Sequence, residues 1–225
     1  MRPLSTECLV RNDWICGEYL RSRRSELQDA LTQHITLTVL AVLIGLALAI
    51  PLAVLARRLH VSQVLLGSAT IIYTIPSVAL FSLLIPFTGI TATTVVIGLV
   101  LYSLTVLVRN VMAGLDAVPD EVREAARGMG MGPTRLMLRV ELPLAVPAIM
   151  AGVRIATVST VALATVGGII NFGGLGNLIF LGLNTEFRAQ VLSASVLCVV
   201  LALAADVALL GVQRVITPWQ RGTVR

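Results

Sequence analysis

Apolar residues run along this chain in long uninterrupted blocks, and the formal charges collect between them. Ile35–Ala56, Val64–Ile85, Ile90–Val108, Leu144–Ile170 and Ala189–Val212 are five such blocks. Each is close to the roughly 20 residues that cross the hydrocarbon core of a bilayer, so each predicts a transmembrane span. The spans should be helices, because backbone groups in lipid must find their partners within the segment, and the alternating pattern of a membrane barrel is missing. Between Arg58 and Arg109 there is no Asp, Glu, Lys or Arg at all. That stretch is too long for one crossing, and Pro86-Phe87-Thr88-Gly89 offers the turn that divides it in two. The predicted class is therefore all-α, a polytopic membrane protein with about five transmembrane helices.

Composition agrees and removes whole classes of function. The 225 residues are 56% hydrophobic and 13% charged, against about 45–50% and about 25% for an ordinary soluble domain. The net charge of +5 comes from 17 basic residues, all arginine, which flank the apolar blocks. A membrane explains them more simply than nucleic acid does. Without lysine the chain can build neither a Walker A loop nor a Schiff base. Cys8, Cys16 and Cys198 lack metal-ligand spacing, as do His34 and His60. No metal, catalytic or cofactor site is expected.

Orientation follows from the loops. With the N-terminus outside, Arg57, Arg58, Arg109, Arg123, Arg127, Arg135, Arg139, Arg214, Arg221 and Arg225 face inward, and only Arg188 lies outside after the first span. The arm before it argues the other way, because Arg2, Arg11, Arg21, Arg23 and Arg24 would then be external. Residues 1–34 are taken as an N-terminal arm, 35–215 as the transmembrane domain and 216–225 as a cytoplasmic tail. Within the arm, Glu18 to His34 predicts an interfacial helix with Tyr19, Leu27, Leu31 and His34 toward the membrane surface. Cys8 and Cys16 are either free or, in an oxidising compartment, bridged. Cys198 reads as a small core residue.

The inside loop from 110 to 143 is unlike the rest. Pro119 suits the first position of a helix whose first turn carries Asp120 and Glu121. Asp120 with Arg123 and Glu124 with Arg127 are i,i+3 pairs, and Val122, Ala125 and Ala126 form a small apolar face. Gly128, Gly130 and Gly132 should interrupt the helix, and Pro133 should start another that ends near Leu142-Pro143. Gly128-x-Gly130 is followed by Pro133 rather than a third glycine, and no strand precedes it, so it is no dinucleotide fingerprint. On physics alone the loop is either a solvated connector or a docking surface whose small residues admit a partner's backbone.

Glu124-Ala125-Ala126, then Gly130, then Val140-Glu141-Leu142-Pro143 resembles the EAA loop of binding-protein-dependent ATP-binding cassette importer permeases. Val140 stands where isoleucine is usual. Thr74-Ile75-Pro76-Ser77, Val108-Arg109-Asn110, and Gly173-Gly174-Leu175-Gly176 with Phe180 and Gly182 resemble the quaternary-amine branch, whose members import glycine betaine, choline, carnitine or similar osmoprotectants. Only the arm before about Gln28 lacks a counterpart. The resemblance implies that Glu124, Ala125, Ala126 and Gly130 dock on a separate ATPase, and that Leu142 and Pro143 mark the return to the membrane. It implies two ATPase subunits that carry the ATP, a second permease subunit in a homo- or heterodimer, and an extracytoplasmic substrate-binding protein.

Candidates for a path or gate come from the spans. Pro76 removes one helical hydrogen bond and leaves a carbonyl for Thr74, Ser77 or passing solute, or it simply kinks the helix. Asn171 and the glycine loop sit at the outer end as a gate, a platform or a turn. Arg154 can snorkel inward, and Asp206 can face the bundle or pair with it. Of ten aromatic residues, Tyr73, Phe81, Tyr102 and Phe172 lie in or beside spans, too few for a tight ammonium cage. The alternatives are the same machine moving an amino acid or other small solute, a stand-alone secondary transporter, which should show repeats and coupling acids, and a membrane scaffold.

Overall fold

The computed structural model describes residues 7–219. Arg2, Arg221 and Arg225 lie outside the described residues, as does most of the expected tail. Among those described, every regular element is helical. Four helices are long and apolar enough to cross a membrane: α3 (Arg24–Arg58), α6 (Ala92–Asp116), a continuous run from Pro133 to Ile170 that contains α9 (Leu142–Val166), and α11 (Arg188–Ile216).

The fifth crossing is broken. Instead of one span over 64–85, α4 (Ser62–Thr74) and α5 (Ser77–Thr88) meet at 97° around Ile75 and Pro76. The cause is local, because Pro76 has no N–H to donate to Ile72, and Ile75 N–H reaches that carbonyl instead at 3.2 Å. Extended dihedrals at Ile75 and Pro76 then redirect the chain. A kink was one reading of Pro76, and the bend is sharper than a kink.

Helix α6 is the hub, packed against α3 and α9. Leu107, Val108, Val111 and Leu115 on α6 are wholly buried against Ala49 and Ala53 of α3 and Ala145 and Ala156 of α9. Small residues set the approach: a Cβ on Gly45 would lie 2.5 Å from Ser103 Oγ, and one on Gly114 would lie 3.0 Å from Ala145 O. Close contact of this kind holds helices together where lipid tails remove the hydrophobic drive. Helix α11 buries little beyond its first two turns, and Val199, Leu203, Val207 and Val215 face outward.

The arm departs from expectation. Helices α1 (Glu7–Val10) and α2 (Gly17–Ser22) precede α3, which runs unbroken through the anticipated boundary at 34/35. Tyr19 and Leu27 do not face lipid but pack with Cys16, Leu178, Ala189 and Ala194 in a cluster that ties the arm to α10 (Leu175–Asn184) and α11. Cys8 and Cys16 are bridged, which settles the alternative left open by sequence. Cys198 is half-buried on α11 rather than a core residue.

His34 is not interfacial either. It is wholly buried, with Nδ1 3.1 Å from Gly173 O and Nε2 3.0 Å from Val161 O. It pins α3 to α9 and to the glycine loop, whose Gly174 lies so close that a Cβ there would meet His34 backbone N at 2.7 Å. α10 follows that loop, where the sequence offered only a gate, platform or turn.

Candidate functional site

The inward loop folds as two linked pieces. Helix α7 (Asp120–Gly128) starts after Pro119, which caps it from an extended conformation instead of occupying its first helical position. Asp120 and Glu121 fill the first turn and Arg127 the last, matching the helix dipole at both ends. The chain then turns at Gly130, whose φ of +79° an L side chain rarely adopts, and a Cβ there would meet nothing within 4 Å. The glycine is needed for the backbone turn and not for packing within this chain. The second helix does not end near Leu142-Pro143. Helix α8 (Pro133–Leu136) passes through a π turn at Met137–Glu141 into α9, with Pro143 in its first turn, where a missing N–H costs nothing.

Of the expected apolar face, Ala126 points into the protein at 2% exposure while Val122 and Ala125 remain exposed beside Glu124. The outer surface of α7 is therefore acidic and small. Its inner surface is locked by charge. Arg123 Nε donates to Glu141 Oε1 at 2.8 Å, Nη1 to Asp120 Oδ1 at 2.6 Å, and Nη2 to Leu115 O at 2.6 Å. Arg57 adds Glu141 Oε2 at 3.6 Å and Asp116 Oδ1 at 3.4 Å. Glu141 is 8% exposed and Arg123 11%. One buried carboxylate at the π turn thus joins α7 to the inner end of α3, and both arginines reach the inner end of α6 through Leu115 O. The anticipated Asp120–Arg123 pair forms, while no ion pair links Glu124 to Arg127 among the described residues.

This hub was missed in sequence. Arg57 counted only as an inside charge and Glu141 only as part of the loop's ending. The one available signal was an acid just before Leu142-Pro143, where a span is about to begin.

Deeper in, Thr74, Pro76 and Ser77 line a cavity of about 430 Å³ with Tyr73, Tyr102 and Ser159. The Tyr102 hydroxyl donates to Ile75 O, which fixes α6 against the bend. Arg154 and Asp206 pair in two-pronged fashion, Nε to Oδ1 at 2.8 Å and Nη2 to Oδ2 at 2.9 Å, so Arg154 reaches across to α11 and does not snorkel free. They line a neighbouring cavity that shares Ser159 with the first. Asn171 stands apart at the outer end, at φ +62°, with its carbonyl accepting from Asn177 Nδ2 at 3.0 Å.

A bundle of this kind, broken at one span and carrying a charge-locked helix on its inward face, has the form of a transporter's membrane-spanning subunit. Residues 27–222 match the family described as binding-protein-dependent transport system inner membrane component, and the chain belongs to it. It is 34% identical over 202 residues to the choline transport system permease protein OpuBB of Bacillus subtilis (strain 168), a match covering 89% of this chain and 93% of that one. It is 36% identical over 207 residues to the osmoprotectant import permease protein OsmW of Salmonella typhimurium, covering 89% and 96%. Among solved structures, the MetNI methionine ABC transporter in an inward-facing conformation superposes with a TM-score of 0.76 at 23% identity, over 87% of this chain and 98% of that one. At that identity the likeness concerns the fold. The chain is thus a multi-pass membrane permease of the importer family.

Proposed function

We propose that this chain is the translocating subunit of an ATP-binding cassette importer for a quaternary-amine osmoprotectant such as glycine betaine, choline or carnitine. An extracytoplasmic binding protein delivers the solute, two separate ATPase subunits supply the energy, and a second permease, identical or similar, completes the pathway. Kinship with choline and osmoprotectant permeases supports the substrate class. The absence of lysine supports placing hydrolysis on another chain, since no Walker A loop can be built here.

The observation that carries the coupling reading is the two-faced α7. Glu124 and Ala125 are free to meet a partner while Ala126 and Arg123 fasten the helix to the bundle. Gly130 sets the turn beside the docking face, and Leu142 and Pro143 carry the chain into α9. Within the membrane, Thr74, Pro76 and Ser77 form one wall of the path, Asp206 steadies an adjoining wall through Arg154, and Asn171 belongs to the outer end.

The test is affinity purification of the tagged chain from its native membranes in mild detergent, with Gly130→Asp as comparison. Asp tolerates the left-handed region better than most residues, so the fold should survive while bulk and charge enter the docking surface. An ATPase that co-purifies with the wild type and is lost from the variant is the expected result. The binding protein encoded with it is then screened against betaine, choline and carnitine. No ATPase with either form refutes the coupling role, and a binding protein selective for an amino acid refutes the substrate class.

A further inference from the structure

The bend between α4 and α5 has chemistry that the path reading leaves unused. Tyr73 and Tyr102 meet edge to face, with ring centroids 5.9 Å apart and planes at 76°. Tyr102 is 5% exposed and anchored by its hydroxyl to Ile75 O, whereas Tyr73 lines the same cavity and is 48% exposed. Two rings at that angle form a corner, one fixed and one accessible.

The backbone adds dipoles to the corner. In an unbroken helix the carbonyls of Tyr73 and Thr74 would accept from the N–H groups of residues 77 and 78. Among the described residues no backbone hydrogen bond crosses from α5 to either carbonyl. Thr74, Ser77 and Ser159 bring hydroxyls to the lining, Ile75, Pro76, Ala162 and Leu163 complete it, and among the described residues no formally charged side chain contributes to it. Aromatic faces and hydroxyls in an otherwise apolar, uncharged lining attract positive charge without a countercharge.

We infer that Tyr73, backed by Tyr102 and the carbonyls at the bend, is a contact for the quaternary ammonium group of the transported solute. Such a group has no N–H to donate, so it is recognised by aromatic faces and diffuse negative potential and not by directional hydrogen bonds. One corner is less than a cage, and the ammonium is held weakly enough to leave, as a translocation path requires. The inference rests on the substrate class proposed above and adds the residue that reads it.

The experiment reconstitutes the chain with its ATPase and binding protein in proteoliposomes and follows radiolabelled choline and glycine betaine in Tyr73→Phe and Tyr73→Leu. Phe keeps the π face, and uptake should stay within about twofold of wild type. Leu removes it, and uptake should fall about tenfold, within the range of a desolvated cation–π contact, while binding-protein-stimulated ATP hydrolysis persists. Uptake by Tyr73→Leu equal to wild type overturns the inference and leaves the substrate class standing. A Phe variant as poor as the Leu variant overturns it too, because the hydroxyl would then be the contact. Loss of stimulated hydrolysis along with uptake in Tyr73→Leu makes Tyr73 a structural residue and overturns it equally. A wild-type complex that moves neither solute removes the substrate class, and the inference falls with it.

Discussion

Glu141→Gln separates holding α7 in place from forming it. The carboxylate is 8% exposed, accepts Arg123 Nε at 2.8 Å and lies 3.6 Å from Arg57 Nη1. The amide keeps volume and one acceptor oxygen but removes the charge that both guanidinium groups face. At about 4 Å between charge centres a pair is worth about 4 kcal/mol in a partly screened environment. Breaking a buried pair from one side costs about 3–5 kcal/mol, because the remaining charge stays out of water. Arg123 retains Leu115 O and the exposed Asp120, and Arg57 is less buried, so we expect about 2 kcal/mol of destabilisation. For a chain of this length that lowers Tm by about 6 °C.

On the proposed coupling role, the functional consequence differs from that of a change on the outer surface of α7. α7 can still form and present Glu124 and Ala125, so on the proposed coupling role the ATPase should co-purify, yet movement of α7 is no longer passed firmly to α3 and to the long run that leads into α9. Solute moved per ATP hydrolysed in proteoliposomes should fall several-fold. A double-mutant cycle with Arg123→Gln should be clearly non-additive, by about 1 kcal/mol or more. A Glu141→Gln protein with wild-type Tm and an unchanged transport-to-hydrolysis ratio would refute the reasoning, since the buried hub would then be incidental.

Three further outcomes are expected. Reduction, or Cys8→Ser with Cys16→Ser, should release the loop that carries Asn12, whose side chain donates to Glu186 O at 2.7 Å and accepts from Arg188 N at 3.0 Å; the cost is about 2.5 kcal/mol, read as a lower Tm with reductant, and an unchanged Tm would count against it. Arg154→Met or Asp206→Leu alone should lower the amount of protein in the membrane more than the two together, because each single change strands a charge within a span, and quantitative blotting decides. Gly176→Ala should disturb the outer end, where a Cβ would run into the backbone of Thr165, and should reduce uptake and Tm together.

The spans were legible because lipid imposes a single rule, and four of the five blocks became helices near their expected places. Span ends were less legible, since α3 starts well inside the polar arm, where Leu27 and His34 are buried by protein and not by lipid. His34 could not have been placed from sequence. Its partners are the carbonyls of Val161 and Gly173, more than a hundred positions away, and carbonyls leave no signature in side-chain spacing. The 97° bend was half legible, as Pro76 marked the break while the contact that Tyr102 makes with Ile75 from another helix left no mark in the sequence. The 110–143 loop was readable in outline as a helix, a glycine turn and a second helix, yet the ion pairs that anchor it join residues 57, 123 and 141, which only the fold brings together.

The placement of Glu141 at the π turn gives the coupling reading a direction. On that reading, closure of the ATPases pulls α7, and Arg123 passes the pull to Glu141 at the foot of the long inner run. A π turn carries an i→i+5 register that interrupts the ordinary ladder, and such turns occur often at functional sites. Ser159 stands 18 positions further along the same continuous helix, about 27 Å at the ordinary rise, and lines both the cavity at the bend and the one beside Arg154 and Asp206. Tyr73 lines the first of these cavities together with Ser159, from a half-helix that, among the described residues, no backbone hydrogen bond ties to α5. Motion entering at residue 123 therefore has a stiff route along this helix to the cavity of the proposed ammonium contact. A change that softens that route, such as Gly in place of Ala156, should lower transport per ATP without altering ATPase co-purification, and equal coupling in that variant would mean the force travels through α6 instead.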